Sequence, residues 1–307
     1  MKEVGNFINL DNNINKKIAE IKKELLQDKL LLENCKKHKI ILNDEKVDKS
    51  LMNLLQFSES YSKCLKCVGL DNCNQTQHGF KPLLKDLGNF IHLQYTPCDY
   101  YKAYLAQLEV TNCLKSFYMP KKIMNASLDN IDIKDIGRTK ALSKIATFAK
   151  SYTENKFQKG VYIHGAFGIG KTYMLAAMAN ALAKRHIKVF LVYLPDMIRE
   201  LKSAIGKNNL ENLLNDIKSV QVLILDDIGS EMNTQWVRDE IIGPILQYRM
   251  LEELPTFFSS NKSIEELIRD YATTTDNVKD VTKAERIGDR IKALADEFTV
   301  TGENYRY

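Results

Sequence analysis

The segment Gly165-Ala166-Phe167-Gly168-Ile169-Gly170-Lys171-Thr172 constrains this chain more than any other. It fits the Gly-x4-Gly-Lys-Thr phosphate-loop pattern in full. Its surroundings suit the pattern too. Val161-Tyr162-Ile163-His164 reads as a short buried strand, and Lys171 to Arg185, rich in Ala and Met, reads as a helix. Glycines let the backbone curl so that its N–H groups face phosphate oxygens. The helix N-terminus adds partial positive charge at the same spot. Lys171 is expected to reach the β- and γ-phosphates of ATP, and Thr172 to offer its hydroxyl to Mg²⁺.

The flanking sequence fits the α/β architecture that such a loop requires. Apolar runs at 189–193, 222–225 and 256–260 read as strands. Amphipathic stretches at 138–154, 196–205, 235–251, 263–271 and 283–295 read as helices. Strand and helix alternating at short spacing predict a parallel sheet. The run Val222-Leu223-Ile224-Leu225 ends in Asp226-Asp227, which places two carboxylates at the carboxyl edge of a buried strand. Ligands of open α/β sheets sit at that edge. Asp226 is expected to hold Mg²⁺, directly or through water, and Asp227 to act as general base on the attacking water. Asn261, at the tip of the strand Thr256–Ser260, is placed to contact the γ-phosphate or that water. Alone, an Asn there is more often a turn residue.

At 307 residues the chain suits two domains. The N-terminal part carries a different chemistry. Ile14, Ile18, Ile21, Leu25 and Leu26 recur at helical spacing among Lys and Glu, which predicts an amphipathic helix with one apolar stripe. A stripe packed on its own domain is the ordinary reading, and a partner-binding face the sharper one. Cys64-Leu65-Lys66-Cys67, Cys73 and Cys98 lie within 35 residues. Cys-x2-Cys can hold one Zn²⁺ from a tight turn, and two more thiolates complete a tetrahedron. His78 and His92 are alternative fourth ligands. A redox pair is the competing reading, without the βαβ context such pairs use. The expected division is a helical N-terminal zinc-binding domain at 1–103, a linker at 104–122 and the ATPase domain at 123–307.

With 44% hydrophobic and 27% charged residues the composition is that of a soluble globular protein. No run of about 18 apolar residues is present, so no membrane span is expected, and the cytoplasm is the default location. The net charge of +5 is only weak support for an acidic partner such as DNA.

Together these segments resemble the AAA+ ATPases: Gly165–Thr172 is similar to Walker A, Val222–Asp227 to Walker B and Asn261 to sensor 1. Leu225-Asp226-Asp227-Ile228-Gly229-Ser230-Glu231 resembles the DnaC/DnaI branch of bacterial helicase loaders, where most AAA+ proteins have Asp-Glu. Trp236–Glu240, Pro255–Asn261 and the ending Gly302–Arg306 resemble that branch as well.

The resemblance implies an AAA+ core with a parallel five-stranded sheet, and a zinc-binding domain that docks on the helicase. It implies ATP-dependent self-association, with Arg290 as the arginine finger and Arg286 as its alternative, and Arg306 at the sensor-2 position. Too few residues follow Arg290 for the usual helical lid. Arg199, Lys202 and Lys207, within 195–215, resemble the helical element that lines a single-strand channel, although a solvated face reads as well. The implied function is loading of the hexameric replicative helicase onto single-stranded DNA together with other primosome proteins. A transposition regulator of the same ATPase branch, which coats DNA and recruits a transposase, is the alternative.

Overall fold

The computed structural model describes residues 14–305 except 15, 118–122, 124, 132–135, 155, 204–209 and 276–278. The chain divides into two compact units, 1–107 and 108–307.

The first unit combines helices with a β-hairpin. Asp28 caps the helix Lys29–Lys37, accepting from the Leu30 N–H at 2.9 Å. Asn43 caps the long helix Asp44–Leu65 in the same way, through the Lys46 N–H at 2.8 Å. Strands β1 (Phe80–Asp86) and β2 (Ile91–Pro97) pair antiparallel. Leu31, Val47, Leu54, Phe57, Leu84 and Ile91 form a small core between helix and hairpin. The domain expected as helical thus also contains a hairpin that was not expected. The hairpin escaped the sequence reading because its apolar residues are spread among Lys, Gln and Thr. The apolar stripe is also only partly buried. Leu25 is 4% exposed, whereas Ile14, Ile18 and Ile21 are 50%, 43% and 38% exposed.

The second unit is built on a fully parallel six-stranded sheet. Its strands are β3 (Leu114–Phe117), β4 (Gly160–His164), β5 (Val189–Tyr193), β6 (Val222–Asp226), β7 (Thr256–Ser260) and β8 (Ala295–Thr299). Their spatial order is β3-β5-β6-β7-β4-β8. Five strands were expected. Of the six, β4 to β7 were located in the sequence and β8 was not; β3 lies inside the stretch read as linker, and its four residues directly follow the helix Asp99–Cys113. Such a short edge strand leaves no apolar run to read.

Both sheet faces are covered, which explains the near-continuous apolar runs of β4 to β7. Val161, Ile163 and Ile224 point to the face packed by the helices Ile136–Ser151 and Lys171–Ala183. Tyr162, Leu223, Leu225 and Phe258 point to the other, under the helices Gly243–Leu251 and Val281–Leu294. The helix expected at 235–251 is interrupted by a π-helical turn at Val237–Ile242. The pair expected within 195–215 appears as Leu194–Ser203 and Leu210–Ser219. Lys207 and Arg306 lie outside the described residues. Among the described residues no helix is long and apolar enough to cross a membrane.

Candidate functional site

The loop Gly165–Gly170 follows β4 and runs into the helix that begins at Lys171. Gly165, Gly168 and Gly170 have φ of +149°, +79° and +87°, a region closed to most side chains. Ala166, Phe167 and Ile169 complete the loop, with Phe167 66% exposed and Ile169 1% exposed in the core.

The carboxyl edges of three adjacent strands bring the expected site residues together. Lys171 Nζ donates to the carbonyls of Gly165 and Ala166 at 2.9 and 2.8 Å, and to Asn261 Oδ1 at 2.8 Å. The Thr172 hydroxyl donates to both carboxylate oxygens of Asp226, at 2.9 and 3.0 Å. Asn261 Nδ2 donates to Asp227 Oδ1 at 3.1 Å. Asp226 and Asp227 therefore have separate settings. Asp226 is 2% exposed, and burial pushes its carboxyl up to about 6, against the opposing effect of hydrogen bonds from Ser259 and Thr172. Asp227 stands one residue beyond the strand, in the left-handed region with φ +62°, and turns its side chain toward Asn261.

Two further residues belong to this network and were not singled out in the sequence. Ser259 donates to Asp226 Oδ1 at 2.5 Å and accepts the Asp227 N–H at 3.0 Å, so it fixes both acids. Tyr193, at the end of β5, donates to Asp227 Oδ2 at 3.5 Å. A hydroxyl in the fully buried strand next to β6 was the available signal for Ser259. Tyr193 carries no such mark.

Arg290 does not join the phosphate loop of its own chain. Its Nη1 donates to the Gly243 carbonyl at 3.0 Å, in a basic cavity of about 420 Å³ that Arg238, Lys283 and Arg286 also line. Burial and the neighbouring Arg286 lower its affinity for its proton. Asp239 anchors this wall, accepting from Arg238 Nε at 2.7 Å and Lys283 Nζ at 2.6 Å. Arg199 is exposed beside Asp196, and Lys202 is half-buried.

In the first unit, Cys64 lies in the last turn of the helix Asp44–Leu65, and Cys67, Cys73 and Cys98 follow in turns and at the end of the hairpin. Cys64 Sγ accepts from Gln75 Nε2 at 3.0 Å, Cys73 Sγ accepts from the Gly79 N–H at 3.4 Å, and Cys67 Sγ donates to the Gly69 carbonyl at 3.3 Å. Burial raises the Cys64 thiol, the Gln75 hydrogen bond opposes this, and Cys73, Cys67 and Cys98 raise it further, so all three lie within electrostatic reach of Cys64. This all-sulfur donor set, with N–H groups directed at two of the sulfurs, is of the kind Zn²⁺ accepts. Among the described residues no three ligand side chains stand at coordinating geometry. His78 and His92 are exposed.

Comparison with known proteins agrees with both units. The family described as "IstB-like ATP binding protein" matches residues 106–307, and "Primosomal protein DnaI N-terminus" matches residues 1–95. The replicative helicase loader DnaI of Bacillus subtilis is 37% identical over 292 residues, 95% of this chain and 94% of that protein. The replicative helicase loader DnaC of Escherichia coli K12 is 27% identical over 147 residues, 47% of this chain and 59% of that one. A crystal structure of DnaI superposes with a TM-score of 0.56 at 45% identity, covering 64% of this chain and 99% of that chain. A crystal structure of the DnaC helicase loader gives 0.51 at 26% identity, covering 59% of this chain and 100% of that one. With both units matched and nearly the whole length aligned, the chain belongs to the DnaI family of replicative helicase loaders, on an AAA+ ATP-binding core.

Proposed function

We propose that this protein uses ATP binding and hydrolysis to place a hexameric replicative helicase on single-stranded DNA, as a component of the primosome. The observation that carries the reading is the match to a helicase loader over 95% of this chain, N-terminal unit included, combined with an intact Lys171–Thr172–Asp226–Asp227 constellation. A transposition regulator shares the ATPase motifs but has no call on the N-terminal unit.

In the ATPase unit, Lys171 exchanges the loop carbonyls for the β- and γ-phosphates of ATP. Thr172 and Asp226, already bonded to each other, are the side chains that would hold Mg²⁺, which supplies charge neutralisation at the phosphates. Asp227 takes a proton from the attacking water, and Asn261, bonded to both Lys171 and Asp227, orients that water. Arg290, or Arg286 beside it, completes the site of a neighbouring copy during ATP-dependent self-association. Arg306 at the sensor-2 position adds a cation to the nucleotide. Arg199, Lys202 and Lys207 pair with phosphates of single-stranded DNA.

In the N-terminal unit, Cys64, Cys67, Cys73 and Cys98 hold Zn²⁺. The metal would supply folding energy that so small a core lacks. The exposed Ile14, Ile18 and Ile21 are the surface offered to the helicase.

Steady-state ATP turnover with and without single-stranded DNA tests the catalytic part. Turnover above that of Lys171→Ala supports it, and turnover equal to that variant under both conditions would reduce the nucleotide to a structural ligand.

A further inference from the structure

The outer side of the phosphate loop is held by two donors that the motif does not include. The main-chain N–H of Tyr305 donates to the Gly168 carbonyl at 3.0 Å. Arg138 Nη1 donates to the Ile169 carbonyl at 3.2 Å. The two brace each other, because the Arg138 guanidinium lies 4.8 Å from the centre of the Tyr305 ring. Arg138 is 5% exposed, so its side chain is fixed from several sides.

The segment that delivers Tyr305 is itself seated on the loop. The Val300 N–H donates to the His164 carbonyl at 2.8 Å, continuing the pairing of β8 with β4. A Cβ on Gly165 would stand 2.1 Å from the Val300 carbonyl, and one on Gly168 would stand 2.1 Å from the Asn304 side-chain oxygen. Gly165 is thus required twice, once for its positive φ and once for the close approach of the Val300 backbone, whereas at Gly168 the positive φ is the requirement and the exposed Asn304 side chain packs in the space a Cβ would take.

A peptide unit is planar, and its C=O and N–H point to opposite sides. The Gly168 carbonyl shares its plane with the Ile169 N–H, and the Ile169 carbonyl shares its plane with the Gly170 N–H. Holding both carbonyls on the outside therefore turns both N–H groups toward the inside of the loop, where phosphate oxygens would sit. Without an outside donor, either carbonyl is free to swing inward and repel the ligand. We infer that Arg138 and the C-terminal segment 300–305 preorganise the phosphate cradle, acting as positioning residues through the loop backbone. The inference rests on the nucleotide-binding reading of this site.

The test is calorimetric titration of the full chain with a non-hydrolysable ATP analogue and Mg²⁺. Tyr305→Pro removes the main-chain donor at a residue that is 52% exposed. Tyr305→Ala keeps that donor and removes the ring. Arg138→Met removes the guanidinium. Loss of one such hydrogen bond predicts affinity about five- to tenfold weaker for Tyr305→Pro and at least as weak for Arg138→Met, with a smaller loss for Tyr305→Ala. Because the cradle binds ground and transition states alike, KM for ATP rises while kcat stays within about twofold. A thermal melt checks folding, and should Arg138→Met not fold, Tyr305→Pro decides. Wild-type affinity in Tyr305→Pro, or a fall in kcat at unchanged KM, overturns the inference. Failure of the folded wild-type chain to bind the analogue is a separate result that overturns the nucleotide reading itself.

Discussion

At the scale of single residues, the candidate active site is a closed set of hydrogen bonds that a nucleotide must reopen. Lys171 donates to three uncharged oxygens, and Thr172 is spent on Asp226. Lys171→Ala is expected to abolish nucleotide binding, measured by titration, while leaving the N-terminal unit's contact with the helicase intact. Loss of both in a folded variant would contradict the division of labour between the units.

Asp226 gives a prediction with a definite sign. Burial raises its carboxyl to about 6, so the folded nucleotide-free chain holds this proton more tightly than the unfolded chain. The resulting cost to stability is absent below a pH of about 4, grows through that window and is complete above pH 6. Asp226→Asn should therefore raise the melting temperature of the nucleotide-free protein by several degrees at neutral pH, while destroying Mg²⁺-dependent nucleotide binding. A lower melting temperature at neutral pH would mean that the carboxylate is better satisfied than its burial implies. For the same reason, Mg²⁺-dependent binding by the unmodified chain should weaken as pH falls below about 6.

At the scale of elements, Arg249 shows how the proposed DNA-binding pair is tied to the sheet. It is fully buried and donates to the Lys218 and Val220 carbonyls at 2.9 and 2.8 Å, to Pro255 at 2.8 Å and to the Thr256 hydroxyl at 2.8 Å. It thus closes the carboxyl end of Leu210–Ser219 and joins it to β6 and β7. Arg249→Ala strands those carbonyls and is expected to cost about 3–5 kcal/mol in a denaturant melt. A cost below about 1 kcal/mol would mean that water replaces the guanidinium.

The elements that were legible in the sequence share a physical reason. β4 to β7 are buried on both faces and therefore read as apolar runs. β8 runs Ala295, Asp296, Glu297, Phe298 and Thr299 at the sheet edge directly after a helix, so it shows no apolar run and no break that marks a new strand. β3 is four residues long. In the site, Lys171, Thr172, Asp226, Asp227 and Asn261 follow from local spacing and converge as expected. Arg138 and Tyr193 act across distances in the chain that no local pattern encodes. Arg290 is legible as a candidate finger, yet within one copy its guanidinium donates to the Gly243 carbonyl rather than to the phosphate loop.

At the scale of the whole molecule, two units with different chemistry serve one proposed task. The N-terminal unit has a small core, an exposed apolar stripe and a cluster of four cysteines. If zinc completes its core, elemental analysis of the purified chain should give one Zn²⁺ per copy, and a strong chelator should melt this unit while the ATPase unit stays folded. A chain free of zinc with an unchanged N-terminal unit would contradict the metal assignment.

The most direct test of the loader account is light scattering on a size-exclusion column. The protein is mixed with the hexameric replicative helicase of its own cell, a non-hydrolysable ATP analogue and Mg²⁺. The account predicts a stable complex that disappears when residues 1–103 are deleted. No complex at micromolar concentration, or one that survives the deletion, would contradict it.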